Sequence, residues 1–333
     1  MNTNKKIIVS GIRPTGKLHL GNYHGAIKNW VKLQNQYDCY FFIADLHALT
    51  THYSKSSNIK QDSQRLIEDL LTVGLSNEYC KIFIQSQIPE HAELHLLLST
   101  ITPVSWLERV PTYKEQQQKL KELDLSTYGF LGYPLLQSAD VLLYKAEFVP
   151  VGKDQTAHVE LIHEVARRFN HIYGSGKTIL PEPQVLLSDT PKLVGTDGQK
   201  MSKSYNNTIE IAEDQKSIEK KIKTMPTDPA RVKRTDPGDP EKCPVWQLHK
   251  VYSNEEVKTW VNQGCRSAGI GCLDCKGALL NFIEQEQQPF REKANLYRGN
   301  KDLVNKILKE STAKASTIAK NTLNEVKTSM GIT

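Results

Sequence analysis

The chain has 333 residues, 38% hydrophobic and 24% charged, the balance of an ordinary globular protein with a sizeable core to bury. A net charge of +6 is only mildly basic: it permits RNA binding without arguing for it. No apolar run reaches the roughly 18 residues that a membrane span needs, and MNTNKKIIVSG lacks the pattern of a leader, so a cytoplasmic chain with no membrane partner is expected.

In chain order, KIIVSG (6–11) predicts a strand, RPTG (13–16) a turn, and a helix runs from Gly21 to about Gln36. CYFFIAD (39–45) is the next strand, and 59–74 the next helix, closed by Gly74. KIFIQS (81–86) is a third strand, and helical patterns follow at 91–100 and 154–174, the latter ending at Gly174. Buried-looking strands alternating with helices predict an α/β fold with a doubly wound parallel sheet. From about Leu193 strand signals fade, lysines become dense, and a Pro-rich stretch (227–244) leads into helical patterns. A catalytic domain over 1–192 and a helical domain over 193–304 are expected. The tail, about 305–333, is expected to dock back as an amphipathic helix, with Val304, Ile307, Leu308, Ile318 and Val326 near one face.

Two stretches suit phosphate chemistry. In PTGKLHLGNYHGA (14–26) a turn opens a helix whose free N–H groups favour an anion, and His19 and Asn22, three apart, flank Gly21. Alone it is equally a capped turn. In GQKMSKS (198–204), Lys200 and Lys203 supply two mobile ammonium groups for charge developing on a polyphosphate, where a solvated basic loop is the bland alternative. Asp140 lies in PLLQSADVLLYKAEF (134–148), an otherwise apolar helical segment, on one face with Gln137, Val141 and Tyr144. A carboxylate there needs a donor: a ligand N–H, or an ion pair with Lys145 or Arg109.

Four of the six cysteines, Cys243, Cys265, Cys272 and Cys275, read C-x21-C-x6-C-x2-C, while Cys39 and Cys80 sit beside strands as buried thiols. In a reducing compartment, where disulfides rarely persist, four thiolates suit tetrahedral zinc or an iron–sulfur cluster, and spacing does not separate the two.

HLGN (19–22) and KMSKS (200–204) together resemble the paired motifs of class I aminoacyl-tRNA synthetases. The segments 10–27, 44–50, 107–115, 132–144 and 149–170 are similar, in order and spacing, to the bacterial tryptophanyl-tRNA synthetases. The resemblance implies a Rossmann-type catalytic domain, a helical anticodon-binding domain, and a C-terminal helix returning to the first. It implies ATP along Arg13, Gly21, Asn22, Gly152, Lys153, Asp154 and Leu193, with Lys200, Met201, Ser202, Lys203 and Ser204 at the phosphates; His19, Asn22, Lys200 and Lys203 are the expected catalytic groups. Asp140 is expected to accept the indole N–H of L-tryptophan, with Tyr133, Gln137, Gln155 and His47 around the amino acid. Arg13 replaces the Gln of some relatives, and Gln137 the Met of many. The cysteine spacing resembles a subset carrying a [4Fe-4S] cluster, zinc being the second choice, and Arg266 and Lys276 beside it are candidates to meet an anticodon. Mg2+, tRNA(Trp) and a homodimer are expected as well. The rival readings are a tyrosyl-tRNA synthetase, a retired RNA-binding paralogue and an iron–sulfur redox protein; the intact HLGN, GKDQ and KMSKS stretches disfavour the second, and the want of another redox site the third.

Overall fold

A computed structural model describes residues 5–119, 124–152, 155–187 and 191–333. Five parallel strands, β1 (Ile7–Ile12), β2 (Asp38–Ile43), β3 (Cys80–Ile84), β4 (Phe148–Val151) and β5 (Gln184–Leu187), lie in the order β3-β2-β1-β4-β5. β1 to β3 are the strands expected from the sequence. Successive side chains of a strand point to opposite faces, and both faces are covered here. Ile8, Cys39, Phe41 and Ile82 enter one core with Trp30, Leu66, Ile67 and Leu70, whereas Val9, Tyr40, Phe42 and Phe83 enter another with Leu98, Leu142, Ile162 and Phe169. Cys39 and Cys80 are free, buried thiols paired across β2 and β3, as expected.

β4 and β5 were not among the strands expected. Each has four residues, β4 carries Pro150, and β5 is a half-exposed edge. The first helix also differs from expectation. It begins at Leu20–Asn22, passes through a π-helical turn at Tyr23–Ile27, and continues as Lys28–Leu33. Such a turn often marks a functional segment.

Beyond the sheet the chain is helical. Asp214, Asn254 and Asn300 cap helices at Gln215–Thr224, Glu255–Arg266 and Lys301–Ser329 by accepting from the backbone three residues on. Ile218, Ile222, Trp246 and Ile283 of this region continue the first core without a break. The tail helix Lys301–Ser329 returns to the sheet, packing on β3 and on the helix Glu90–Ser99. Its buried stripe is mostly small (Val304, Ser311, Ala315, Ala319, Thr322, Leu323, Val326), whereas Ile307, Leu308 and Ile318 are only partly covered. Small residues let the two backbones approach closely, a signal that a search for large apolar side chains overlooks.

Candidate active site

The strand order reverses between β1 and β4, and ligands of such sheets lie outside the carboxyl ends of the strands at that point. A cavity of about 260 Å³ opens there. Gly11, Phe42 and Ala44 come from the ends of β1 and β2, Tyr133, Gln137 and Asp140 from the helix Tyr133–Leu142, and Gln155 and His158 from the segment after β4. His47 completes one wall. All five residues expected around an amino acid therefore line one space. Gly11 must be small: a Cβ added there would meet the Phe42 ring at 2.5 Å.

Asp140 is buried and takes three donors. Gln85 Nε2 at 2.6 Å and His91 Nδ1 at 2.7 Å meet Oδ1, and His47 Nε2 at 2.7 Å meets Oδ2. Burial raises its pKa, but the fields and hydrogen bonds of His47 and His91 outweigh that and hold the carboxyl well below the usual range. The ion-pair alternative is not what forms: Lys145 pairs with Glu325, and Arg109 Nε donates to Ser105 O at 3.0 Å. Gln85 and His91 carried no sequence signal, since each comes from a separate element. Thr112 and His158 were missed for the same reason. Thr112 Oγ1 lies 2.7 Å from Tyr133 Oη and 2.7 Å from His158 Nε2, steadying the Tyr133 wall.

A second cavity, about 210 Å³, is lined by Arg13, Thr15, Gly16, Asn22 and Lys203 among others. Arg13 lines both cavities. Gly16 makes the turn beneath, at φ +89°. Lys203 Nζ donates to Thr15 O, and burial lowers its pKa to about 8 against the opposing fields of Asp62, Asp69 and Glu210. The two expected phosphate stretches touch where Gly21 N–H meets Met201 Sδ at 3.2 Å, and Leu20 N–H donates to Ile209 O, just beyond the second stretch, at 2.9 Å. A Cβ added at Gly21 would stand 3.0 Å from the His19 ring and 3.2 Å from Met201 Cβ, so this close approach favours a glycine. His19 is buried, and desolvation followed by the Lys203 charge lowers its pKa to about 4.

The loop divides the expected lysines. Asn207, buried, accepts from Ser202 N–H and donates to Lys200 O, so the backbone direction is set from inside. Lys203 is thereby turned to the cavity, whereas the exposed Lys200 side chain lines neither cavity. Ser204 is exposed; Leu193 and Met201 are core residues that line neither cavity. Gly152 accepts from Gln155 N–H at 3.0 Å, and the expected Lys153 and Asp154 lie outside the described residues.

The four clustered cysteines are all free and lie near one another: Cys243 caps the helix Pro244–Tyr252, Cys265 ends Glu255–Arg266, and Cys272 and Cys275 share the first turn of Cys272–Tyr297. Burial pushes the Cys275 thiol up to about 12, and Cys243, Cys265 and Cys272 push the same way. Arg231, buried, stands 3.8 Å from Cys265 Sγ. Among the described residues no three His, Cys, Asp or Glu side chains are grouped so as to hold a metal ion. One expectation is corrected here. Lys276 is buried and donates to Lys223 O and Met225 O, so it does not face an RNA; Arg266 remains half-exposed.

Among the described residues no helix is long and apolar enough to cross a membrane. Residues 1–286 match the family model for class I tRNA synthetases of the W and Y group. The tryptophan–tRNA ligase of Thermotoga maritima is 50% identical, with 98% of this chain and 99% of that protein covered. That of Ralstonia nicotianae is 49% identical, with 98% of each covered. The structure of the Campylobacter jejuni tryptophanyl-tRNA synthetase, complexed with ADP and tryptophan, superposes with a TM-score of 0.86 at 32% identity, covering 98% and 99% of the two chains. The reversal of strand order, the paired cavities and these full-length likenesses have one reading: the chain belongs to the class I tRNA synthetases, as a tryptophanyl-tRNA synthetase of the bacterial kind.

Proposed function

We propose that the larger cavity takes L-tryptophan, its ring N–H on Asp140, and that the neighbouring cavity takes the phosphates of ATP between Asn22 and Lys203. The observation that carries this is Arg13, which borders both spaces and so stands where a carboxylate and an α-phosphate would meet. A carboxylate oxygen of tryptophan attacks the α-phosphorus in line, the bond to the β-phosphate oxygen breaks, and pyrophosphate leaves with Mg2+ as its counter-ion. The terminal adenosine hydroxyl of tRNA(Trp) then attacks the acyl carbon of tryptophanyl-AMP and AMP leaves. The side chains position the reactants and neutralise charge, with no covalent enzyme intermediate. His47, Tyr133, Gln137 and Gln155 orient the amino acid; Lys203 stabilises the departing pyrophosphate, with the exposed Lys200 reaching in only on loop movement.

Residues 1–192 with the returning tail form the catalytic domain in this reading, 193–304 the anticodon-binding domain, and the working unit is a cytoplasmic homodimer. The cysteine quartet holds a [4Fe-4S] cluster. Four soft thiols in one place suit such a group, and a buried Arg231 beside Cys265 suits the negative charge that four thiolates bring. Zinc is the second choice: thiolates around one ion at about 2.3 Å must close tightly, whereas a cluster holds them further apart. The residues fit by donor type, and the cluster would draw the four thiols together and order this glycine-rich region. The test of the tryptophan reading is Asp140→Ala. Tryptophan-dependent ATP–pyrophosphate exchange should be lost while ATP binding is largely kept; an unchanged dependence on tryptophan makes Asp140 a structural residue.

A further inference from the structure

Two of the three donors to Asp140 come from outside the cavity that it lines. Gln85 lies in the turn that follows β3, and His91 in the first turn of Glu90–Ser99; both are fully buried, and neither borders the cavity. Both meet Oδ1. An ionised carboxylate only accepts, so His91 must turn Nδ1–H toward it. Its other nitrogen, Nε2, stands 2.8 Å from the hydroxyl of Tyr144, which is fully buried. The rings of Phe42 and Phe83, at 5.7 and 6.1 Å between centroids, leave the imidazole no room to swing aside. A carboxylate's terminal torsion is broad when nothing holds it. Here charge-assisted bonds from two directions hold it.

We infer that Gln85, His91 and Tyr144 are positioning residues for side-chain selection: they occupy Oδ1 and lock the carboxylate plane, so that Oδ2 offers its remaining acceptor site at one fixed place. A ring N–H at that place is accepted. A phenol hydroxyl, borne at the end of a narrower ring, would need the carboxylate to re-aim, and the bonds to Oδ1 prevent it. The inference rests on the reading that Asp140 meets the ring N–H of tryptophan.

The experiment compares amino-acid-dependent exchange with tryptophan, tyrosine and 1-methyltryptophan, whose ring nitrogen cannot donate. His91→Leu and Gln85→Met should raise the KM for tryptophan about tenfold with a smaller change in kcat, as expected for losing a hydrogen bond to a charged group. The preference for tryptophan over the other two should shrink by a similar factor. His91→Gln, which keeps a donor, should recover most of the loss, and Tyr144→Phe should act in the same direction more weakly. Should His91→Leu fail to fold, Gln85→Met and Tyr144→Phe carry the same test. An equal loss for all three amino acids, or an unchanged preference in folded variants, overturns the inference. Asp140→Asn separates the two levels. An unchanged preference there overturns the underlying reading, whereas a lost preference there beside intact preference in the other variants overturns this inference alone.

Discussion

Lys203 Nζ donates to the backbone carbonyl of Thr15 at 2.8 Å, joining two segments 188 residues apart in sequence across the mouth of the smaller cavity. The bond holds the ammonium where a polyphosphate would lie. Lys203→Ala should lower kcat for exchange by about 100-fold, the scale of losing one preorganised charge partner, with the KM for tryptophan little changed. Lys200→Ala should cost less, because its side chain lines neither cavity. Steady-state kinetics of both variants decide this; a loss confined to tryptophan affinity contradicts it.

The same lysine sets an alkaline limb. Burial lowers it to about 8, so it carries its charge below that pH and loses it above. The value of kcat/KM for ATP, which reports the free enzyme, should therefore fall as pH rises through about 8. Lys203→Arg should retain part of the activity and remove that fall, since a guanidinium stays protonated. A limb that does not move in this variant belongs to another group.

His19 governs an acid limb of stability. Desolvation, then Lys203, lowers it to about 4, while an unfolded histidine titrates near 6.5. Between these values the unfolded chain binds the extra proton, so stability falls as pH drops from about 6.5 to 4, by on the order of 2 kcal/mol from this residue. In urea unfolding at pH 7 and pH 5, His19→Asn should narrow the difference between the two. An identical pH dependence in both proteins rules the assignment out.

Gly11→Ala places a methyl group 2.5 Å from the Phe42 ring, which lines the larger cavity and must then shift. The KM for tryptophan should rise at least tenfold while that for ATP holds, since a misplacement of about 1 Å is costly at such a site. Equal changes in both constants would point to general disruption instead.

Protein purified without oxygen should be brown and contain iron and sulfide; one equivalent of zinc and no iron overturns the cluster. Cys275→Ser should impair charging of tRNA while tryptophan-dependent exchange largely survives. Both activities lost in a folded variant would link the cysteines directly to the active site.

Much of this was legible in the sequence, for identifiable reasons. β1, β2 and β3 announced themselves because strands buried on both faces are continuously apolar, as in CYFFIAD. β4 and β5 did not, being four residues each at or near an edge. Asp140 stood out as a carboxylate in an apolar helix, yet its partners Gln85, His91 and His47 come from three other segments, and only the fold brings them together. Spacing placed Lys200 and Lys203 on one loop but could not tell which faces inward; that depends on Asn207. Lys276 looked like a surface cation beside the cysteines and proved to be a buried donor to two carbonyls.

Amino-acid-dependent ATP–pyrophosphate exchange, run with tryptophan and tyrosine side by side, tests the account most directly. Exchange should depend on tryptophan and be weak with tyrosine, because Asp140 is held by three donors at the end of the larger cavity. Equal or greater exchange with tyrosine would contradict it.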